Sequence, residues 1–436
     1  MVIPMNMNAT KLFQSVRVLH GCAAIFTAII LLASSFTAVA AKPWLPPEIL
    51  SGTASNAEFP RVDVNGRGSL VAAWSQEVGV SYHIQASVNL DKTWTAAATL
   101  SPAGQNGMQI DVVIDNADVA TVIWTDGSMI QASQMSPGGD WSTPVPLSNT
   151  GRSASDPRIV VDQSGNLTAM WVRVDASNTP LLEAADQPSG RDWSAPTQIA
   201  TGPFSGFSLA MNSAGNTAVI WNAGSFTGNT TIYSSERTFG GGWSAPVAVA
   251  SSARSQGGAK IGIAANGDLT ACWRTDTDIQ VADKPFGGTW SGPTILFSSI
   301  TMAGFPEMTK TPAGDDLVAF TILNGFNYRV GTSVRPAGGS WSAPEPLSSN
   351  QESTLDVHVV STVGGSFLIS WVDDNSFRFQ SSARTVTTRW APARPIAGGL
   401  LINDSPTDLA AEGNRAVAIW FGAFGQTMAS NAPVSP

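Results

Sequence analysis

Residues 239–246 read FGGGWSAP, and near copies return along the chain: GGDWSTP ending at Pro144, RDWSAP at Pro196, GGTWSGP at Pro293 and GGSWSAP at Pro344, with looser copies around Trp44, Trp94 and Trp390. The tryptophans of this series, at 44, 94, 141, 193, 243, 290, 341 and 390, lie 50, 47, 52, 50, 47, 51 and 49 residues apart. A period near fifty marks an array of supersecondary units, each able to bury its apolar face only against its neighbours. A second series, at 74, 124, 171, 221, 273, 371 and 420, falls between them, with Thr321 at the remaining place, and the two series use all 15 tryptophans. Placed so regularly, tryptophan reads as an apolar wedge between stacked units rather than as a sugar-stacking platform.

Residues 156–200 make one unit, with four apolar-rich runs (RIVV, LTAMWV, LLEAA and WSAPTQI) separated by polar or glycine-bearing stretches. Four short strands joined by tight turns predict a propeller blade. Six residues before each inner tryptophan, or before Thr321, stand Gly68, Asp118, Gly165, Gly215, Gly267, Asp315, Gly365 and Asn414. These residue types tolerate the left-handed backbone of a tight first hairpin. The repeat opens on a lone fourth-strand segment, PWLPPEIL, and closes after a third strand near Thr427–Ser430. The expected fold is therefore all-β: a single eight-bladed β-propeller of four-stranded blades over residues 41–436, in repeats of about 49 residues. The N-terminal strand is expected to complete the last blade and close the ring, with seven blades as the alternative.

Lys11 and Arg17 precede an uncharged run, GCAAIFTAIILLASSFTAVAA, which ends on the small-x-small site Ala38-Val39-Ala40. Residues 1–40 read as a secretory signal peptide, so the expected location is secreted, periplasmic or at the cell surface, with no membrane span after cleavage. An uncleaved anchor is the alternative, whereas Cys22, ahead of the apolar run, argues against a lipoprotein. Loss of Lys11 and Arg17 takes the formal net charge from -9 to -11. An acidic chain without a Lys/Arg cluster makes a poor nucleic-acid partner. Cys272 would be the sole remaining cysteine, so no internal disulfide forms. His83 and His358 lack metal-ligand spacing, and neither a metal nor a cofactor is expected.

The repeat resembles the tryptophan-bearing blades of exported bacterial propellers and, more loosely, sialidase-like propellers with Asp-box turns, SxDxGxTW. The nearest copy in the chain is SVNLDKTW, Ser87–Trp94, where Asn89 and Asp91 stand for the Asp and Gly of the box. That resemblance implies, as one alternative, a glycoside hydrolase with an arginine cluster for a substrate carboxylate, a glutamate-activated tyrosine nucleophile and an acidic proton donor. Arg61 in FPRV and Arg158 in DPRI echo the arginines, but the tyrosines are only Tyr82, Tyr233 and Tyr328, all before the closing stretch where such enzymes place the nucleophile.

Two patterns locate function. The link between second and third strands varies in length (9, 5, 10, 10, 5, 8, 7 and 6 residues along the chain), while the other spacings stay nearly constant. These links emerge on one face, and loops on a rigid scaffold are where recognition usually resides. They carry the candidates Tyr82, His83, Tyr328 and Arg329. Thirteen residues before each inner tryptophan, or Thr321, stand Arg61, Asp111, Arg158, Ser208, Lys260, Met308, His358 and Thr407, followed mostly by aliphatic residues. Strand parity sends this set toward the channel, where Arg61, Arg158, Lys260 and His358 would form a basic ring able to hold a carboxylate, sulfate or phosphate. Mutual repulsion in such a ring lowers the proton affinity of His358. The expected function is non-catalytic recognition of a glycan or protein partner, with the oligomeric state left open.

Overall fold

Ala57–Val64, Leu70–Val78, Ser81–Asn89 and Ala98–Thr99 pair in chain order as an antiparallel meander, blade 1, with its first strand innermost. Six further sheets repeat that order along the chain, each four-stranded. In blade 8 the strands Thr407–Glu412, Arg415–Phe421 and Thr427–Pro433 take Glu48–Ile49 as their outer strand, through the pairs Glu48–Ala429 and Ile49–Met428. Innermost strands pack against those of both neighbouring blades, and that of blade 8 packs against that of blade 1. The protein is thus an eight-bladed β-propeller closed by its N-terminal strand, and the seven-bladed alternative falls. The structure, a computed structural model, describes residues 43–434 apart from 53–55, 103, 150–152, 225–229, 253–254, 300–303, 326, 398–406 and 423–424. The signal peptide expected over residues 1–40 lies outside the described residues.

Burial runs along the seams between blades. Blades 1 and 2 share a cluster built on Val71, Ile84, Ile110 and Trp124; blades 8 and 1 share one built on Leu50, Val62, Trp74 and Ile419. Comparable clusters fill the remaining seams. The inner tryptophans are at most 2% exposed and sit in these seams. Those of the WSxP series are half-buried at the rim of the clusters, and three reach the preceding blade: Trp44 Nε1 donates to Ser381 Oγ (2.8 Å), Trp290 Nε1 to Ser234 Oγ (2.7 Å) and Trp390 Nε1 to Thr332 Oγ1 (2.9 Å).

The serine of WSxP has its own role. Ser244 N donates to Glu236 O (3.0 Å), and Ser244 Oγ accepts from Glu236 N (3.1 Å), so one residue ties both polar groups of the third strand. Ser142, Ser194, Ser291 and Ser342 repeat the pair.

Three sequence assignments are corrected by one residue each. In blade 6 the inner aromatic place belongs to Phe320, 1% exposed, not to Thr321, and the left-handed turn residue is Gly314 (φ 100), not Asp315. In blade 8 the first hairpin is one residue shorter, and Gly413 (φ 57), not Asn414, takes that conformation.

Candidate functional site

Register defines the channel ring without ambiguity. The residue paired opposite the one preceding each inner aromatic is Arg61, Asp111, Arg158, Ser208, Lys260, Glu307, His358 and Asp408 in blades 1 to 8. Arg61, Arg158, Lys260 and His358 line a single cavity of about 530 Å³. The expected composition is corrected: Glu307 replaces Met308 because the inner aromatic of blade 6 is Phe320, and Asp408 replaces Thr407 because the first hairpin of blade 8 is one residue shorter. Asp111, Glu307 and Asp408 line the same cavity. Bases occupy the odd-numbered blades and acids the even-numbered ones, with Ser208 in blade 4 as the single departure.

The ion pairs follow this alternation. Lys260 Nζ lies 2.6 Å from Glu307 Oε1, and His358 lies 3.2 Å from Asp356 Oδ1 through Nε2 and 3.9 Å from Asp408 Oδ1 through Nδ1. Burial pulls the pKa of His358 down, but Asp356, with Asp408 and Glu307, outweighs it, and the net shift is upward. The expected depression of that histidine by repulsion is therefore wrong in sign, because acids, not bases, are its neighbours. Asp111 shows the opposite balance: burial raises its pKa, with Arg158 and Arg61 on either side partly offsetting this. Three of the even-blade ring residues also brace the following inner strand. Val62 N donates to Asp408 Oδ2 (3.0 Å), Ile159 N to Asp111 Oδ2 (2.9 Å) and Ile261 N to Ser208 Oγ (3.3 Å).

A second tier stands two residues upstream, at the channel mouth. In six blades the inner strand carries a one-residue bulge, immediately before the ring residue in blades 1, 2, 3, 5 and 7 and one residue earlier in blade 4. The bulge places Phe59, Gln109, Asp156, Gly206, Gly258 and Asp356 in the left-handed region, with φ of 54, 48, 53, 121, 63 and 48. Left-handed backbone at four non-glycine residues stores strain, and bulges re-aim side chains beside functional sites. Gln109 and Asp156 bond each other, Asp156 N donating to Gln109 Oε1 at 3.0 Å. In blade 6 the corresponding residue is Phe305, 53% exposed, with the Arg274 guanidinium 4.2 Å from its ring centroid. Phe59 is 38% exposed. Sequence reasoning missed this tier, since a bulge leaves no mark in residue type.

The other candidates stay apart from the channel. Tyr82 and His83 in blade 1, and Tyr328 and Arg329 in blade 6, lie on third strands at equivalent places, where the variable links prove to be projecting strand ribbons. Blade 1 needs only Gly79 and Val80 to turn, and Val80 is 98% exposed. Tyr82 Oη donates to Glu58 Oε1 (3.3 Å), and the charge of Glu58 raises the tyrosine's pKa. Arg329 is engaged by Ser348 O (2.8 Å from Nη2), and the backbone oxygen of Tyr328 accepts from Thr354 Oγ1 (2.9 Å). None of the four borders the 530 Å³ cavity.

At the opposite end a cavity of about 590 Å³ is lined by the first turns. There the polar side chains serve the fold: Asn65 Oδ1 accepts from Arg67 N and Ser69 N, and Asp162 Oδ1 from Ser164 N and Asn166 N. That explains the nearly constant length of these turns, one residue shorter only in blade 8, and leaves the mouth as the face free to vary.

No protein-family model and no curated protein matches the sequence. Among solved structures the chain is similar to the BP39L lectin from Burkholderia pseudomallei, with a TM-score of 0.55, 14% identity, and 80% of this chain and 100% of that one covered. It is also similar to a polysaccharide lyase, an ulvan lyase, with a TM-score of 0.51, 10% identity and coverage of 73% and 90%. A puromycin hydrolase gives a TM-score of 0.52 at 14% identity, covering 87% of this chain and 61% of that one. Sialidases also occur among the neighbours, at a TM-score of 0.41. At these identities the likeness is one of fold, shared by proteins of different chemistry.

Proposed function

We propose that the protein is an exported, non-catalytic propeller that holds a glycan over the mouth of its channel. The observation that carries this reading is the tier upstream of the ring: exposed Phe59 and Phe305, the Gln109–Asp156 pair, and Asp356 paired with His358 of the charged cavity. Exposed aromatic rings together with amide and carboxylate groups suit the apolar faces and hydroxyls of a saccharide. A lectin and a polysaccharide lyase among the fold neighbours are compatible with it. The catalytic alternative, a sialidase-like hydrolase, needs a tyrosine beside the arginines. Tyr82 has its glutamate, Glu58, but it does not border the cavity that holds Arg61 and Arg158. A glycan array run beside a panel of fluorogenic glycosides separates the two. Saturable glycan binding without turnover supports recognition; release of the fluorophore from any glycoside replaces it with catalysis.

A further inference from the structure

The alternation of the ring fails at one place. Arg61, Asp111, Arg158, Ser208, Lys260, Glu307, His358 and Asp408 run base, acid, base, hydroxyl, base, acid, base, acid. Ser208 therefore separates two cations, Arg158 and Lys260, at the point where every other pair of neighbouring bases has a carboxylate between them. The cation on one side of it is under-compensated: Arg158 shares Asp111 with Arg61, and both arginines act on that single acid. Its one hydrogen bond among the described residues runs from Nη1 to the carbonyl of Pro157 (2.9 Å). Lys260 keeps Glu307 on its far side.

A second, independent feature coincides with the first. The mouth residue above Ser208 is Gly206, where an added Cβ would meet nothing within 4 Å, so the wall is open in this sector. The mouth of the next blade is Gly258, and there a Cβ would come within 2.4 Å of the Phe305 ring, which occupies the space a side chain would need. The vacancy in charge and the gap in the wall therefore stand in the same blade, and the exposed Phe305 ring covers Gly258 of the blade that follows. Ser208 Oγ already accepts from Ile261 N, and among the described residues no acceptor takes its O–H.

We infer that blade 4 carries an anion niche: a carboxylate or sulfate group of a saccharide enters past Gly206, accepts from the Ser208 hydroxyl, and sits between Arg158 and Lys260 as the fourth acid of the ring. Charge-assisted bonds from two cations and one hydroxyl provide both affinity and orientation, and the saccharide ring attached to the anion lies toward Phe305. The inference rests on the glycan reading above and names the class of glycan, an acidic one.

Ser208→Asp is the direct test, because it supplies the missing acid covalently. It should fold, since Asp111 and Asp408 already occupy the equivalent place and accept the same backbone bond from the following blade. Isothermal titration at low ionic strength with sodium glucuronate, sodium sulfate and glucose is expected to show binding of glucuronate and sulfate, not glucose, by the wild type. Ser208→Asp should weaken glucuronate at least tenfold with a melting temperature no lower than wild type, and Ser208→Ala by a few-fold only. Equal glucuronate affinity in wild type and Ser208→Asp, or none in the wild type, overturns the niche. Sulfate bound with glucuronate refused assigns it to a free oxyanion and overturns its saccharide role. A neutral glycan taken from the array and titrated alongside keeps the two proposals separate: if it binds while the anions do not, the niche alone falls.

Discussion

Asp63 shows how one residue can be set by its tier. Two places beyond the ring, the inner strands carry Asp63, Val113, Val160, Ala210, Gly262, Thr309, Val360 and Ala410, a mostly apolar belt in which the aspartate is the lone acid. It borders both cavities and accepts from Ile114 N at 2.9 Å. Burial, with smaller contributions from Asp111 and Asp408, pushes its pKa from 3.8 to about 7 against the lowering effect of backbone bonds. The folded state then holds a proton that the unfolded chain releases above pH 4, so stability falls as pH rises from about 4 to about 7 and levels beyond. At ~1.36 kcal/mol per unit, the ceiling of that loss is on the order of 4 kcal/mol. Urea denaturation across this window should show Asp63→Asn with a flatter profile than wild type; parallel profiles would mean Asp63 ionises normally. At this scale the sequence was readable wherever a residue type repeats. The ring bases were found by counting back from tryptophan, whereas Glu307 and Asp408 were lost because phenylalanine replaced the reference in blade 6 and a shorter hairpin moved it in blade 8.

The blade is the element, and its two aromatic series differ in what they hold. Trp171 is fully buried in the seam of blades 2 and 3, while Trp243 is half-buried beneath the Arg237 guanidinium, 4.3 Å from its centroid. Arg237 pairs in turn with Asp186 of blade 3, so the outer tryptophan belongs to an interblade clamp rather than to the core. Trp171→Ala should cost about 3–5 kcal/mol through lost burial and cavity formation, and Trp243→Ala distinctly less. Ser244→Ala, which removes the acceptor for Glu236 N, should cost about 1 kcal/mol. Equilibrium denaturation orders the three, and a larger loss for Trp243→Ala than for Trp171→Ala would contradict the division. Strand number and turn positions were legible here because glycine and WSxP punctuate each repeat. The bulge was not, since Phe, Gln, Asp and Gly all occupy it; nor were the ribbons of blades 1 and 6, whose polar, glycine-bearing sequences read as loops.

The whole molecule is a ring that must close on itself. Leu45 N donates to Asn431 O, Leu50 N to Thr427 O (both 2.9 Å) and Ser430 Oγ to Leu45 O (2.6 Å), while Leu50 fills the seam between blades 8 and 1. Deleting residues 43–51 exposes that edge and should lower the melting temperature by several degrees, each kcal/mol being worth about 2–4 °C in a larger domain; an unchanged transition would contradict closure. Closure was legible because the first segment of the repeat reads as a fourth strand and the last unit shows only three. The ring was partly legible, its four bases and Asp111 but not Glu307 and Asp408, and which acid compensates which base was not legible, because those partners lie about fifty residues apart in sequence. The central claim is that recognition belongs to the mouth and not to the turn-lined end of the channel. The most direct measurement is isothermal titration of the strongest array glycan into wild type, the double variant Arg61→Ala with Arg158→Ala, and Gln163→Ala at the opposite cavity. The account predicts a loss of about tenfold or more, ~1.4 kcal/mol, in the double variant and none in Gln163→Ala. Full affinity in the double variant with loss in Gln163→Ala would contradict it.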